Sequence, residues 1–134
     1  FMPKPFADLT GNGLHLHSSL WDAETGAELF ADPADPRGLG LSAMGYSYAA
    51  GLIEHAQALA AITCPTVNSY KRFGVGAPLS GATWAPAYAT YGGNNRTQML
   101  RIPEGGRIEN RGCDGSAGSA PTQARSSRGK TGGP

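Results

Sequence analysis

The sequence predicts an α+β fold, because two hydrophobic periods coexist in one chain. A period of two runs through GNGLHLHSSLW (Gly11 to Trp21) and returns in GGRIENR (Gly105 to Arg111), whereas a period of three to four runs from Leu41 to Ile62. With 134 residues and 40% hydrophobic content, the chain has enough apolar side chain for one small core.

The elements follow in order. FMPKPF is apolar but interrupted by Pro3 and Pro5, which suits an edge strand or an extended entry better than a central strand. A Gly/Asn turn at Gly11 to Gly13 opens the first alternating segment. There Leu14, Leu16 and Leu20 point one way and His15, His17, Ser19 and Trp21 the other, the pattern of a half-buried strand. WDAETGAELF reads as a turn around Thr25 and Gly26 between two short strands, and ADPADPRGLG as a Pro/Asp/Gly loop. Leu41, Met44, Tyr48, Leu52, His55, Leu59 and Ile62 then predict one helix over about 42–62, with Ser42 as N-cap and Pro65 beyond its end. Its alanines, from Ala49 to Ala61, allow a neighbouring element to approach closely. From Cys64 the chain reads as a long polar, Gly-rich connection to a strand at about 97–102. RIENR alternates again and places Arg107, Glu109 and Arg111 on one face. The residues beyond Arg111 contain no Leu, Ile, Val or aromatic side chain and are expected to be disordered.

Charge excludes little. Eleven Lys+Arg against ten Asp+Glu leave a net of +1, which gives no bulk electrostatic argument for nucleic acid or a membrane surface. The start at Phe1, without a charged and then apolar leader, is expected for a fragment with no signal peptide or anchor. Cys64 and Cys113 lie far apart without CxxC spacing, which favours free thiols and a cytoplasmic setting.

Three constellations carry chemistry. His15 and His17 share a strand face, with same-face side chains about 6 to 7 Å apart, so both can face one metal or phosphate; they are equally well read as two half-exposed strand histidines. Arg72, Arg96, Arg101, Arg107 and Arg111 lie in segments otherwise poor in charge, and guanidinium is the group for bidentate carboxylate or phosphate recognition. Any single one reads as a solvated loop arginine; five together weaken that reading. Glu109, between two arginines, is either a rung of a surface ion-pair ladder or a metal carboxylate.

FMPKPF, GNGLHLHSSLW, PTVNSYKR, NNRTQMLRIP and RIENR stand in the order and roughly the spacing of the C-terminal catalytic domain of glutamine synthetases, and the resemblance covers Phe1 to about Ala117. SGATWAP and YGGNNRT are most similar to the GlnT-like, type III branch. The resemblance implies antiparallel strands of the glutamine synthetase catalytic sheet with the packed helix, as a partial domain over 1–117. It leaves 118–134 as a disordered or frameshifted tail, since an amphipathic helix expected after DGSA is replaced by GSAPTQARSSRGKTGGP.

It also implies an ATP-dependent glutamate–ammonia ligase that forms glutamine through a γ-glutamyl phosphate, with a glutamate–amine ligase of the γ-glutamylmethylamide synthetase kind, or a non-catalytic module, as alternatives. Phosphoryl transfer between anions calls for divalent metal, here Mg²⁺ or Mn²⁺, and for positioned cations. By resemblance, His15 and Glu109 are metal ligands, while His17, Ser19, Arg96 and Arg101 contact ATP. Gly11, Arg72, Arg96 and Arg111 bind glutamate, and Arg96 is the catalytic arginine that reaches phosphate and glutamate together. The family's asparagine before the glycine turn is Thr10 here, and the segment between Arg72 and Arg96 holds no Asp or Glu to deprotonate ammonium. The remaining metal carboxylates belong to a preceding part of the domain, so the fragment alone is expected to be inactive. A cytoplasmic homo-oligomeric ring is implied for the full-length protein.

Overall fold

The computed structural model describes residues 2–73 and 85–117. Its elements are β1 (Gly13–Ser18), α1 (Ala43–Glu54), α2 (Ala56–Thr63), α3 (Val67–Arg72), β2 (Tyr91–Gly92), β3 (Leu100–Arg101) and β4 (Ile108–Asp114). Among the described residues the strands form one four-stranded sheet in the order β1-β4-β3-β2. The α+β expectation holds, and the last alternating segment becomes the sheet's long inner strand. The sheet is mixed rather than purely antiparallel. β4 runs antiparallel to β1 and to β3, while β2 and β3 are parallel. The link between these two short strands folds back on itself at Asn95, whose side chain accepts from the amide and hydroxyl of Thr97, so the chain re-enters beside β2 in the same direction.

The entry segment forms no strand. It runs through a series of bends, and Asn12 donates its amide to the Pro3 carbonyl (2.7 Å). Gly11 has no substitute there: a Cβ would lie 2.5 Å from the Pro3 carbonyl oxygen and 3.1 Å from Cγ of Arg72.

One packed core joins the helices to a single face of the sheet: Phe30, Leu41, Ala49, Met99, Leu100, Ile102 and Ile108, flanked by Leu39, Tyr46, Leu52, Ile53 and Ala56. Ser42 caps α1 as expected, accepting from the Gly45 amide and donating its hydroxyl to the Leu29 carbonyl. The buried stripe of α1 is Gly45 and Ala49, not the larger residues of the sequence pattern; Met44 and Tyr48 remain exposed, as does Ile62 in α2. A Cβ at Gly45 would sit 3.1 Å from the Phe30 carbonyl oxygen, so small residues set how close the helix lies.

Three further expectations are corrected. The helix over 42–62 is divided at His55, where φ −96° and ψ 13° separate α1 from α2. The division falls one turn after Gly51, where helix propensity is lowest. A third helix, α3, lies inside the segment read as an irregular connection. Thr66 caps it, accepting from the Ser69 amide, while Ser69 reaches back to the Thr66 amide. Six residues are too few for a hydrophobic period to show. Finally, β1 is not half-buried: Leu14 and Leu16 are 39% and 46% exposed, because β1 is an edge strand and the helices pack over β4.

The ordered chain also continues past Arg111. Cys113, Asp114 and Ser116 are buried, held by polar contacts rather than by an apolar pattern. The tail expectation for 118–134 lies outside the described residues, as do residues 80–84 of the SGATWAP segment.

Candidate active site

The face of the sheet opposite the core carries the charges. In the β1–β4 register His17 stands opposite Glu109, and in the β3–β4 register Arg101 does, so three strands deliver one residue each to a single row. The pairing slips by one residue between Leu14 and Leu16, leaving an extra residue on β4 opposite His15. Gly112 lies at this bulge and donates its amide to the Asn110 side chain (2.9 Å). The bulge swings Arg111 toward His15, with Nη1 and Nδ1 at 3.3 Å.

Glu109 is the centre of the cluster and only 2% exposed. Its Oε2 accepts from Arg101 Nη1 at 2.6 Å, and its Oε1 accepts from Arg111 Nη1 at 2.8 Å. His15 Nδ1 lies 3.0 Å from Oε1, and His17 Nε2 lies 3.8 Å from it. Burial alone would raise the Glu109 carboxyl, but Arg101, Arg111 and His15 hold it below the ordinary carboxylate range. Desolvation lowers the His15 imidazole and Arg111 lowers it further, outweighing the attraction of Glu109, so His15 is neutral at neutral pH. A guanidinium can only donate, and the carboxylate contact is the shorter one. With a donor and an acceptor both beside Nδ1, either tautomer fits, and the half-exposed neutral ring keeps one nitrogen lone pair for an electrophile.

That donor set fits part of a divalent-metal site. A neutral imidazole and an ionised carboxylate lie side by side, and two arginines orient the carboxylate. Among the described residues no group of three or more His, Cys, Asp or Glu side chains converges to hold a metal, so any further ligands come from elsewhere.

The other expected site residues divide into two sets. Arg101 is tied to the cluster and to Asn94, whose Oδ1 accepts from its Nε at 2.8 Å. Arg96 adjoins the cluster through its backbone, its carbonyl accepting from Arg111 Nε at 3.0 Å, and its residue is exposed. Arg107 is exposed just ahead of β4. Ser19 falls beyond the end of β1, where its hydroxyl accepts from Trp21 Nε1 at 3.1 Å; it is not drawn into the Glu109 cluster. Arg72 and Gly11 meet at the other end of the β1–β4 ladder. There Arg72 Nη1 donates to the Cys113 carbonyl (2.5 Å) and more weakly to Asn12 (3.4 Å), and Nη2 donates to Arg111 (3.2 Å).

Asn94, Asp114 and Ser116 support these residues and were not singled out in the sequence. For Asn94 the available signal is its place in the Gly/Asn turn ahead of Arg96; Asp114 and Ser116 are hidden in a small, polar run. Cys64 and Cys113 are both free and buried, and burial pushes the Cys64 thiol up to about 11. On the core side of the sheet, a cavity of about 470 Å³ between α2 and the 86–89 segment is lined by Leu59, Tyr70, Phe73, Tyr88 and Met99 among others, with Asn110 and Gly112 of the bulge at its wall.

The family model of the glutamine synthetase catalytic domain matches residues 1–119. The chain belongs to the glutamine synthetase family. It is 60% identical over 116 residues to a glutamate–methylamine ligase of Methyloversatilis universalis and 53% identical over 116 residues to a glutamine synthetase of Rhizobium leguminosarum. Each match covers 87% of this chain and 26% of the relative, so the chain spans about a quarter of the length of these glutamine synthetase family members. The fold agrees. A GmaS–ADP complex superposes with a TM-score of 0.76 at 56% identity, covering 87% of this chain and 26% of that one. The glutamine synthetase of Plasmodium falciparum superposes with a TM-score of 0.67 at 33% identity, covering 85% and 22%. No described helix is long and apolar enough to cross a membrane.

Proposed function

We propose that this chain is the C-terminal catalytic portion of an ATP-dependent ligase that joins the side-chain carboxylate of glutamate to ammonia or a small amine through a γ-glutamyl phosphate. The observation that carries the reading is Glu109, a buried carboxylate shared by Arg101, Arg111 and His15 on the open face of a sheet. His15 and Glu109 would hold Mg²⁺ or Mn²⁺, and the bound metal would supply Lewis-acid neutralisation of ATP phosphates. Arg96 and Arg101 would steady the transferred phosphoryl group, with His17 and Ser19 toward the nucleotide. Gly11, Arg72 and Arg111 would receive glutamate. The part-site needs carboxylates from outside the chain, and a homo-oligomeric assembly of the whole protein is part of the same reading.

Identity to the glutamate–methylamine ligase (60%) exceeds identity to the Rhizobium glutamine synthetase (53%), and the segment from Arg72 to Arg96 holds no acidic residue. Both observations favour the amine-ligase alternative over ammonia, with a GlnT-like branch placement resting on the SGATWAP and YGGNNRT wording. The experiment is a chimera in which residues 1–117 replace the matched segment of the Methyloversatilis enzyme. Metal- and glutamate-dependent ADP release, with methylamine preferred over ammonium in direct competition, is the expected result. A soluble, assembled chimera that releases no ADP with either nitrogen donor overturns the ligase reading and leaves a non-catalytic module.

A further inference from the structure

We propose that Asp114 is a positioning residue for Arg72, supplying the counter-charge that lets this buried arginine offer its unengaged N–H groups to the carboxylate of an amino-acid substrate. The proposal rests on the reading of Arg72 as a glutamate-binding residue. Asp114 closes β4 and is 0% exposed. Its Oδ1 is fixed by Ser116, which donates both its amide (2.8 Å) and its hydroxyl (2.5 Å). Its Oδ2 is the fully buried side-chain oxygen that makes no hydrogen bond among the described residues, and it faces Arg72 Nη1 at 4.0 Å. That separation is too long for a hydrogen bond but short enough for strong attraction in a dry setting.

An ion pair built only for stability brings guanidinium and carboxylate into direct, forked contact. Here three backbone carbonyls, of Asn12, Arg111 and Cys113, hold the guanidinium away from the carboxylate. Three of its five N–H groups are engaged by these carbonyls; the one on Nε and one on Nη2 are not. A buried cation without a nearby anion is costly, and Glu109 is already committed to Arg101 and Arg111. Asp114 therefore neutralises Arg72 without occupying its donors. The Arg72 stem also lies against Gly11, where a Cβ would come within 3.1 Å of Cγ, so the arginine is steered between the glycine turn and the end of β4.

The test measures steady-state kinetics in the same chimera. Asp114→Asn keeps the shape and removes the charge; KM for glutamate should rise about 10-fold, with kcat and KM for ATP within about 2-fold. Ser116→Ala, which keeps the carboxylate but loosens it, should move KM for glutamate in the same direction by about 3-fold. In an Arg72→Lys background, itself raised in KM for glutamate, adding Asp114→Asn should change that KM by less than about 2-fold. An unchanged KM for glutamate in Asp114→Asn, an equal rise in KM for ATP, or full additivity with Arg72→Lys overturns the positioning role. If Asp114→Asn does not assemble, Ser116→Ala decides on the same criterion. An Arg72→Lys chimera with an unaltered KM for glutamate overturns the glutamate reading of Arg72, a result distinct from failure at Asp114 alone.

Discussion

β4 carries two buried carboxylates that are served in opposite ways. Glu109, near the start of the strand, has both oxygens bound to arginines, yet it opens to solvent through His15 and His17, whose side chains are 40% and 44% exposed. Asp114, at the strand end, is sealed completely, and one of its oxygens makes no hydrogen bond among the described residues. The first is an arginine-bound anion at an accessible surface. The second is an inaccessible anion that faces Arg72 at 4.0 Å. The bulge opposite His15 divides them, so a single extra residue in one strand separates a carboxylate on an open face from one sealed beside Arg72.

The contrast can be broken most forcefully at Glu109. In the chimera, Glu109→Gln should lower glutamate-dependent ADP release by about 100-fold or more, since it removes a metal carboxylate and leaves Arg101 and Arg111 without their shared anion. The assay is steady-state turnover of assembled protein, and a loss below about 3-fold would make Glu109 a rung of an ion-pair ladder.

At the other cluster, Gly11→Ala should destabilise the 134-residue chain by about 1 to 3 kcal/mol in denaturant unfolding, because the added methyl meets backbone at Pro3 and the Arg72 stem. A change within about 0.5 kcal/mol would show that the turn yields freely and does not steer Arg72.

The pH response is smaller and calibrates both carboxylates against a third, Asp35, which belongs to neither cluster. For Asp114, burial pushes the carboxyl up, but the Ser116 and Ser69 hydroxyls, the Ser116 amide and Arg72 bring it below its ordinary value. Asp35 feels some desolvation, but Tyr46 and the amides of Arg37, Leu39 and Leu41 bring it down to about 2. Each group is more acidic folded than unfolded. Each therefore contributes stability above its unfolded value near pH 4, which is lost as pH falls through the folded one. For Asp35 that window runs from about pH 4 down to about 2. Carboxyl-carbon NMR titration should place all three midpoints below the ordinary range; an ordinary midpoint for Asp35 would contradict its four donors.

Much of the accessible cluster was legible in the sequence. Alternation put His15 with His17 and Glu109 with Arg111, and the motif resemblance assigned their roles before any geometry. What alternation does not carry is the register: that Arg101 and His17 flank Glu109 follows from strand pairing across some ninety residues of chain. The sealed cluster was nearly invisible. Asp114 and Ser116 lie in a run without apolar side chains, which reads as unable to bury anything, yet they are held by hydrogen bonds and charge. The helices show the same division. The period found their location, but Gly45 and Ala49 rather than Met44 and Tyr48 face the core, because close approach to the sheet selects small residues. The exposure of Leu14 and Leu16 was not foreseeable from their own pattern, since it depends on what covers the sheet edge.

Whether His15 and Glu109 together hold a divalent metal is decided by titrating Mn²⁺ against activity in the chimera and its His15→Ala variant at saturating glutamate and ATP. The variant should need at least about 10-fold more metal for half-maximal rate. An unchanged metal requirement would contradict it.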